Sequence, residues 1–94
     1  MHKPNLSVCI LSFNTQNVTL ACLTSIAKFA PKNIEVLILD NASSDQSYEE
    51  VSKFVKKYDN FKLFQSNKNL GFGGGNNFLV SKATPGSLRN LPRM

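Results

Sequence analysis

Four of the five glycines in this chain of 94 residues crowd into Asn-Leu-Gly-Phe-Gly-Gly-Gly-Asn-Asn, Asn69 to Asn77. Glycine at that density lets a backbone come close to a flat or anionic group, because no β-carbon stands in the way, or it serves the packing of a turn alone. A second candidate is Asp40, where the apolar run Ile34–Asp40 gives way to polar sequence. A carboxylate there can accept a hydrogen bond from the imide N–H of uracil or thymine, or from a ribose hydroxyl. It can equally hold the following turn through its own side chain. Asn14, after the apolar run Leu6–Phe13, carries the same two readings. The two phosphate loops best known from sequence are excluded. A Walker A loop needs Gly-Lys-Ser/Thr where Asn76-Asn77 stand, and the dinucleotide fingerprint lacks its last glycine, its position being Asn76.

The elements that must position these residues follow from the hydrophobic pattern. Leu6–Phe13 and Ile34–Asp40 are nearly continuous apolar runs, as expected of strands covered on both faces. Phe61–Gln65 is a shorter third strand. Between the first two, Leu20, Leu23, Ala27 and Ala30 keep a helical stripe that Pro31 stops. Between the second and third, Val51, Phe54, Val55 and Tyr58 fall at i, i+3, i+4 and i+7. Glu49 and Glu50 near the start of that helix and Lys56 and Lys57 near its end suit the helix dipole. Ser47 with Glu50 has capping-box spacing, and Ser44 or Asp45 can cap as well. The glycines read as a loop, followed by about two helical turns in 76–83 before Pro85-Gly86.

The expected fold is therefore α/β, a partial Rossmann-like three-layer domain of three parallel strands alternating with helices, β-α-β-α-β-α. Residues 1–83 form that domain and 84–94 an irregular basic tail. The polar clusters after the three strands should gather on one rim, where open parallel sheets bind ligands.

Size and composition narrow the function. Ninety-four residues make one small domain, and 41% hydrophobic with 18% charged content suits a folded chain. No apolar run reaches the ~20 residues of a membrane span. Net charge is +5; residues 1–59 balance six basic against six acidic side chains, while 60–94 hold Lys62, Lys68, Lys82, Arg89 and Arg93 and no acid. That fits an anionic small ligand such as a diphosphate, or an ordinary basic tail; no nucleic-acid partner is expected. Cys9 and Cys22 have no metal or redox spacing, and read as buried free thiols. The three Asn-X-Ser/Thr triplets carry no meaning without a secretory signal.

Val8–Asn14, the segment Ile34–Ser47 with its Asp-Asn-Ala-Ser core, and Asn67–Asn77 together resemble the start of a family 2 glycosyltransferase. The resemblance is to the glycosyltransferase A fold and its rhamnosyltransferase-like branch, and it covers about residues 5–83. It implies a UDP- or dTDP-linked sugar as ligand, cell-wall polysaccharide as setting, and a cytoplasmic location at the inner face of the membrane. By position, Ser12, Phe13 and Asn14 border the nucleotide base. Asp40 contacts the base, and Asn41 to Asp45 line the pocket and start the following helix. Asn69, Gly71, Gly74, Gly75 and Asn76 lie along the nucleoside. Family members hold Mg²⁺ or Mn²⁺ on a DxD-type motif beyond this region, and no Asp or Glu follows Asp59. The resemblance therefore implies no metal or catalytic base within this chain, and inverting glycosyl transfer that the chain alone does not complete. With strand order 3-2-1, Leu6–Phe13 would be an apolar sheet edge, open to homo-oligomer formation or to pairing with another chain. Alternatives are a non-catalytic nucleotide-binding module and a purely structural, oligomerising α/β domain.

Overall fold

The computed structural model describes residues 6–30, 33–83 and 88–90. It runs β1 (Leu6–Ser12), α1 (Gln16–Phe29), β2 (Ile34–Asn41), α2 (Ser47–Val55), β3 (Phe61–Ser66), α3 (Gly71–Lys82) and β4 (Leu88–Asn90). All pairings are parallel, in the order β3-β2-β1-β4. β1 and β2 pair along their length, from Leu6 opposite Ile34 to Ser12 opposite Asp40. Both strands are shielded almost throughout, so their apolar runs lack the alternation of a half-exposed strand.

The sheet separates two cores. Val8, Ile10, Val36, Ile38 and Phe61 face α1 and α2, meeting Leu23 and Val51. Cys9, Leu11, Leu37 and Leu39 face α3 and meet Leu79. The result is the expected three-layer α/β arrangement, with right-handed crossovers placing α1 and α2 on one face and α3 on the other. Beyond the end of α2, Tyr58 still packs its ring on Phe54 and Phe61, at centroid distances of 5.2 and 5.1 Å.

Three expectations are corrected. The glycines are helical: α3 begins at Gly71, several residues before the expected start. Gly75 lies buried against β1, and a β-carbon there would stand 2.4 Å from a Leu11 methyl. A glycine-poor sequence could not bring this helix so close to the sheet. Second, the segment expected as an irregular tail supplies β4, which pairs Leu88, Arg89 and Asn90 with Ser7, Val8 and Cys9. Three residues carry no strand pattern of their own; the open edge of β1 is the template. The expected free edge at Leu6–Phe13 is thus occupied along Ser7–Cys9. The remainder of the tail lies outside the described residues. Third, the Ser47–Glu50 capping box is not made. Asp45 Oδ1 accepts the Ser47 N–H at 2.9 Å, and Glu50 pairs with Lys53 at 3.1 Å.

Both cysteines are free. Burial, and then the charge of Glu35, pushes the Cys9 thiol above its ordinary pKa; burial alone does the same to Cys22. Neither carries the thiolate character of a reactive site.

Gly75→Val should lower stability by about 1–3 kcal/mol, because the added methyls overpack Leu11. Urea denaturation checks this; an unchanged midpoint would mean that α3 does not sit this close to β1.

Candidate functional site: the carboxyl rim of the sheet

All three polar clusters lie beyond the carboxyl ends of β1, β2 and β3, and hydrogen bonds from two asparagine side chains stitch them together. Asn14 Oδ1 accepts the backbone N–H groups of Ser44 at 2.8 Å and Asp45 at 3.3 Å. The Asn14 N–H donates to Ser43 Oγ at 2.9 Å. Asn41 works on the other side: its Oδ1 accepts Leu70 N–H at 2.8 Å, and its Nδ2 donates to the Gly71 carbonyl at 3.3 Å.

The pleat explains this division. Asp40 and Asn41 are consecutive, so their side chains leave opposite faces of the sheet. Asn41 reaches α3, whereas Asp40 lies on the α1/α2 side with Ile38. Ser12, opposite Asp40 in register, is on that side too, with its hydroxyl 3.0 Å from that of Thr19 in α1. Asp40 is 1% exposed. Its Oδ2 accepts the Ser43 N–H at 3.0 Å, which is the turn-holding role. Its Oδ1 is buried and has no hydrogen-bond partner among the described residues. A buried acceptor left unpaired is costly and calls for an explanation. One carboxylate oxygen thus holds the turn, and the other stands unpaired among the described residues.

The glycines have separate reasons. Gly71 has φ +74°, a left-handed conformation, and its N–H is held by Asn69 Oδ1 at 2.7 Å. Gly75 is the packing contact with Leu11. A β-carbon on Gly74 would meet Leu70 Cβ at 3.1 Å, while one on Gly73 would meet nothing within 4 Å. Because α3 follows β3, its N-terminus points to the rim, where first-turn N–H groups lack intrahelical acceptors.

A cleft of about 660 Å³ opens between the ends of β2 and β3 and the start of α3. Leu39, Ala42, Ser43, Gln65, Ser66, Asn67, Leu70 and Phe78 line it. Of the residues expected from sequence at the pocket, Ala42 and Ser43 are among them, whereas Ser12, Phe13, Asn14, Asp40, Asn41, Asn69, Gly71, Gly74, Gly75 and Asn76 are not. Asn41 and Gly71 brace its frame, and Asn14 lines a separate hollow of about 330 Å³ with Asp45. Phe13 is 44% exposed, Gly74 is exposed and Asn76 is half-buried on α3. Sequence reasoning missed Gln65, Ser66 and Asn67, although their polarity directly after an apolar strand was the available signal.

No group of three or more His, Cys, Asp or Glu able to hold a metal occurs among the described residues. The last acid, Asp59, stands at the opposite end of the sheet beside Ile34 and Phe61. The residues on this rim do not make a divalent-cation site, and no step through a metal is derived.

An open parallel sheet with a polar cleft at its carboxyl rim is the architecture of nucleotide-dependent α/β proteins. Residues 7–85 match glycosyl transferase family 2, and the chain belongs to that family. It is 31% identical to a cholesterol galactosyltransferase of Borreliella burgdorferi over 83 residues, 88% of this chain and 23% of that protein. Among solved structures, S. aureus TarS (residues 1–349) superposes with a TM-score of 0.78 at 29% identity, over 93% of this chain and 26% of TarS. The mannosyltransferase PcManGT of Pyrobaculum calidifontis, solved with GDP-Man and Mn²⁺, gives 0.78 at 20% identity, over 89% and 26%; at that identity it shows the fold alone. The chain spans less than half the length of the curated relatives it matches.

Gly71→Ala should cost about 1–2 kcal/mol through its left-handed φ. Gly73→Ala should instead add up to about 1 kcal/mol of helix propensity. Urea titrations of the two variants compare them; equal effects would contradict this division.

Proposed function

We propose that the rim binds the nucleoside diphosphate of a sugar donor, with a uridine or thymidine base, as the donor half-site of a glycosyltransferase. The cleft between the β2–α2 turn and the start of α3 carries this reading. Its volume suits a small ligand, it has polar walls of Ser43, Gln65, Ser66 and Asn67, and it adjoins the N-terminus of a twelve-residue helix. The unpaired Oδ1 of Asp40 is the acceptor we assign to the imide N–H of the base. Gly73, where a β-carbon would meet nothing within 4 Å, leaves room for the ribose. The pairing of Asp-Asn-Ala-Ser with Asn-Leu-Gly-Phe favours the rhamnosyltransferase-like branch. Glycosyl transfer to an acceptor hydroxyl is the reaction we assign to the whole protein, and its chemical step is not drawn from these residues.

A thermal-shift titration with UDP, dTDP, GDP and ADP tests this. A ligand at ~100 times its dissociation constant adds roughly 2.7 kcal/mol, and so raises Tm by roughly 10 °C in a domain of this size. UDP and dTDP should do so without added metal. Asp40→Asn, which replaces the free acceptor by a donor, should weaken both nucleotides about tenfold or more. No shift with any of the four would sink the proposal.

A further inference from the structure

We infer that Asn14 is a positioning residue: it fixes the turn Ser43–Asp45, and through it the Asp40 carboxylate, without touching the nucleotide. The inference rests on the nucleotide reading above and assigns Asn14 the turn-holding one of the two roles that its sequence position leaves open.

The geometry is a clasp between two loops that α1 separates in the chain. Asn14 has φ +52°, a left-handed conformation that Asn adopts more readily than most residues. That conformation lets both its backbone N–H and its side chain address the turn after β2. Its Oδ1 takes the N–H groups of Ser44 and Asp45, with the Ser44 hydroxyl at 3.4 Å, so this oxygen has its full complement of donors. Its N–H holds Ser43 Oγ. Three consecutive residues are thus tied to one asparagine. Directly before the clasped residues stands Ala42 at φ +67°, with Asn14 one of the two left-handed non-glycine residues among those described. A turn in that conformation persists only where its surroundings over-determine it.

What the turn does next links it to the ligand. Ser43 N–H donates to Asp40 Oδ2, which keeps Oδ1 as the free acceptor. Ala42 and Ser43 line the large cleft. Asp45 holds the first N–H of α2. Releasing Asn14 therefore loosens the carboxylate, one wall of the cleft and a helix start together. Of the Asn14 side chain only Nδ2 remains for a ligand, and this separates positioning from direct side-chain contact.

Three variants divide the possibilities. Asn14→Ala removes the amide. Asn14→Gly also removes it but accepts the left-handed φ, and so guards against a simple folding defect. Asn14→Asp keeps the acceptor and removes Nδ2. Amide exchange of Ser44 and Asp45, read by NMR on the free chain, reports the clasp without any ligand. Binding of UDP and of uncharged uridine reports the site; uridine avoids repulsion between the new carboxylate and the diphosphate. In Asn14→Ala and Asn14→Gly, exchange at both amides should quicken and affinity should fall, each by about tenfold, the effect expected when one hydrogen-bonding group is lost. Asn14→Asp should restore both for uridine. Loss of uridine binding in Asn14→Asp with the two amides still protected would overturn the inference in favour of a contact through Nδ2. Fast amide exchange with unchanged affinity in Asn14→Gly would reduce the clasp to a fold element. Wild-type chain that binds neither uridine nor UDP would remove the nucleotide reading and this inference with it; the exchange data would then show whether the clasp itself exists.

Discussion

The structure depends on the in-register parallel pairing of β1 with β2. These two strands are buried on both faces, and their seven paired positions carry most of the two cores. Because side chains alternate, this register decides which layer every rim residue addresses. A one-residue slip of β2 would exchange Asp40 and Asn41. The carboxylate would then face α3, and the amide that braces Leu70 and Gly71 would face α1 and α2. The rim has no independent geometry; it is the last turn of a pattern fixed by Val8, Ile10, Val36 and Ile38 further down.

Seen this way, the rim is built mainly by short polar side chains acting on backbone. Asn14 and Asn41 each bind main-chain groups of a neighbouring loop, Asp45 binds the first N–H of α2, and Asn69 holds Gly71. Few buried carbon contacts reinforce these loops, so hydrogen bonds must set their positions. Such bonds are individually modest but directional. That suits a surface which must hold a shape and still yield locally when a ligand arrives.

The strands and the first two helices were legible because their evidence is distributed. Val51, Phe54 and Val55 each say the same thing about one helix face, and tertiary packing agrees with them. The start of α3 was not legible, because each glycine in Gly71–Gly75 opposes a helix by about 1 kcal/mol relative to alanine. Packing of Leu79 and the bracing of Leu70 and Gly71 by Asn41 and Asn69 override that preference, and of these only the Asn69 bond is local. β4 was hidden for a related reason: three residues become a strand only because β1 offers unpaired groups beside them. At the site, the residue types were legible and their employment was not. An asparagine at the end of a strand presents the same amide to a ligand and to a neighbouring turn, and only the fold says which is within reach.

The glycine cluster shows how far that distinction can be carried. Dense glycine suggested two causes, a ligand lying along the backbone or a turn serving packing alone. The structure resolves at least three. Gly71 answers to its dihedral angle, Gly75 to a methyl of Leu11 and Gly74 to Leu70 Cβ. Each of these is a demand of the fold that would hold if nothing were ever bound. Gly73 alone has neither an unusual φ nor a neighbour within 4 Å, yet it occupies a helix position where alanine would serve stability better. Gly73 stands exposed on the first turn of α3 at the rim, where the proposed ribose site would use the room that its missing side chain leaves.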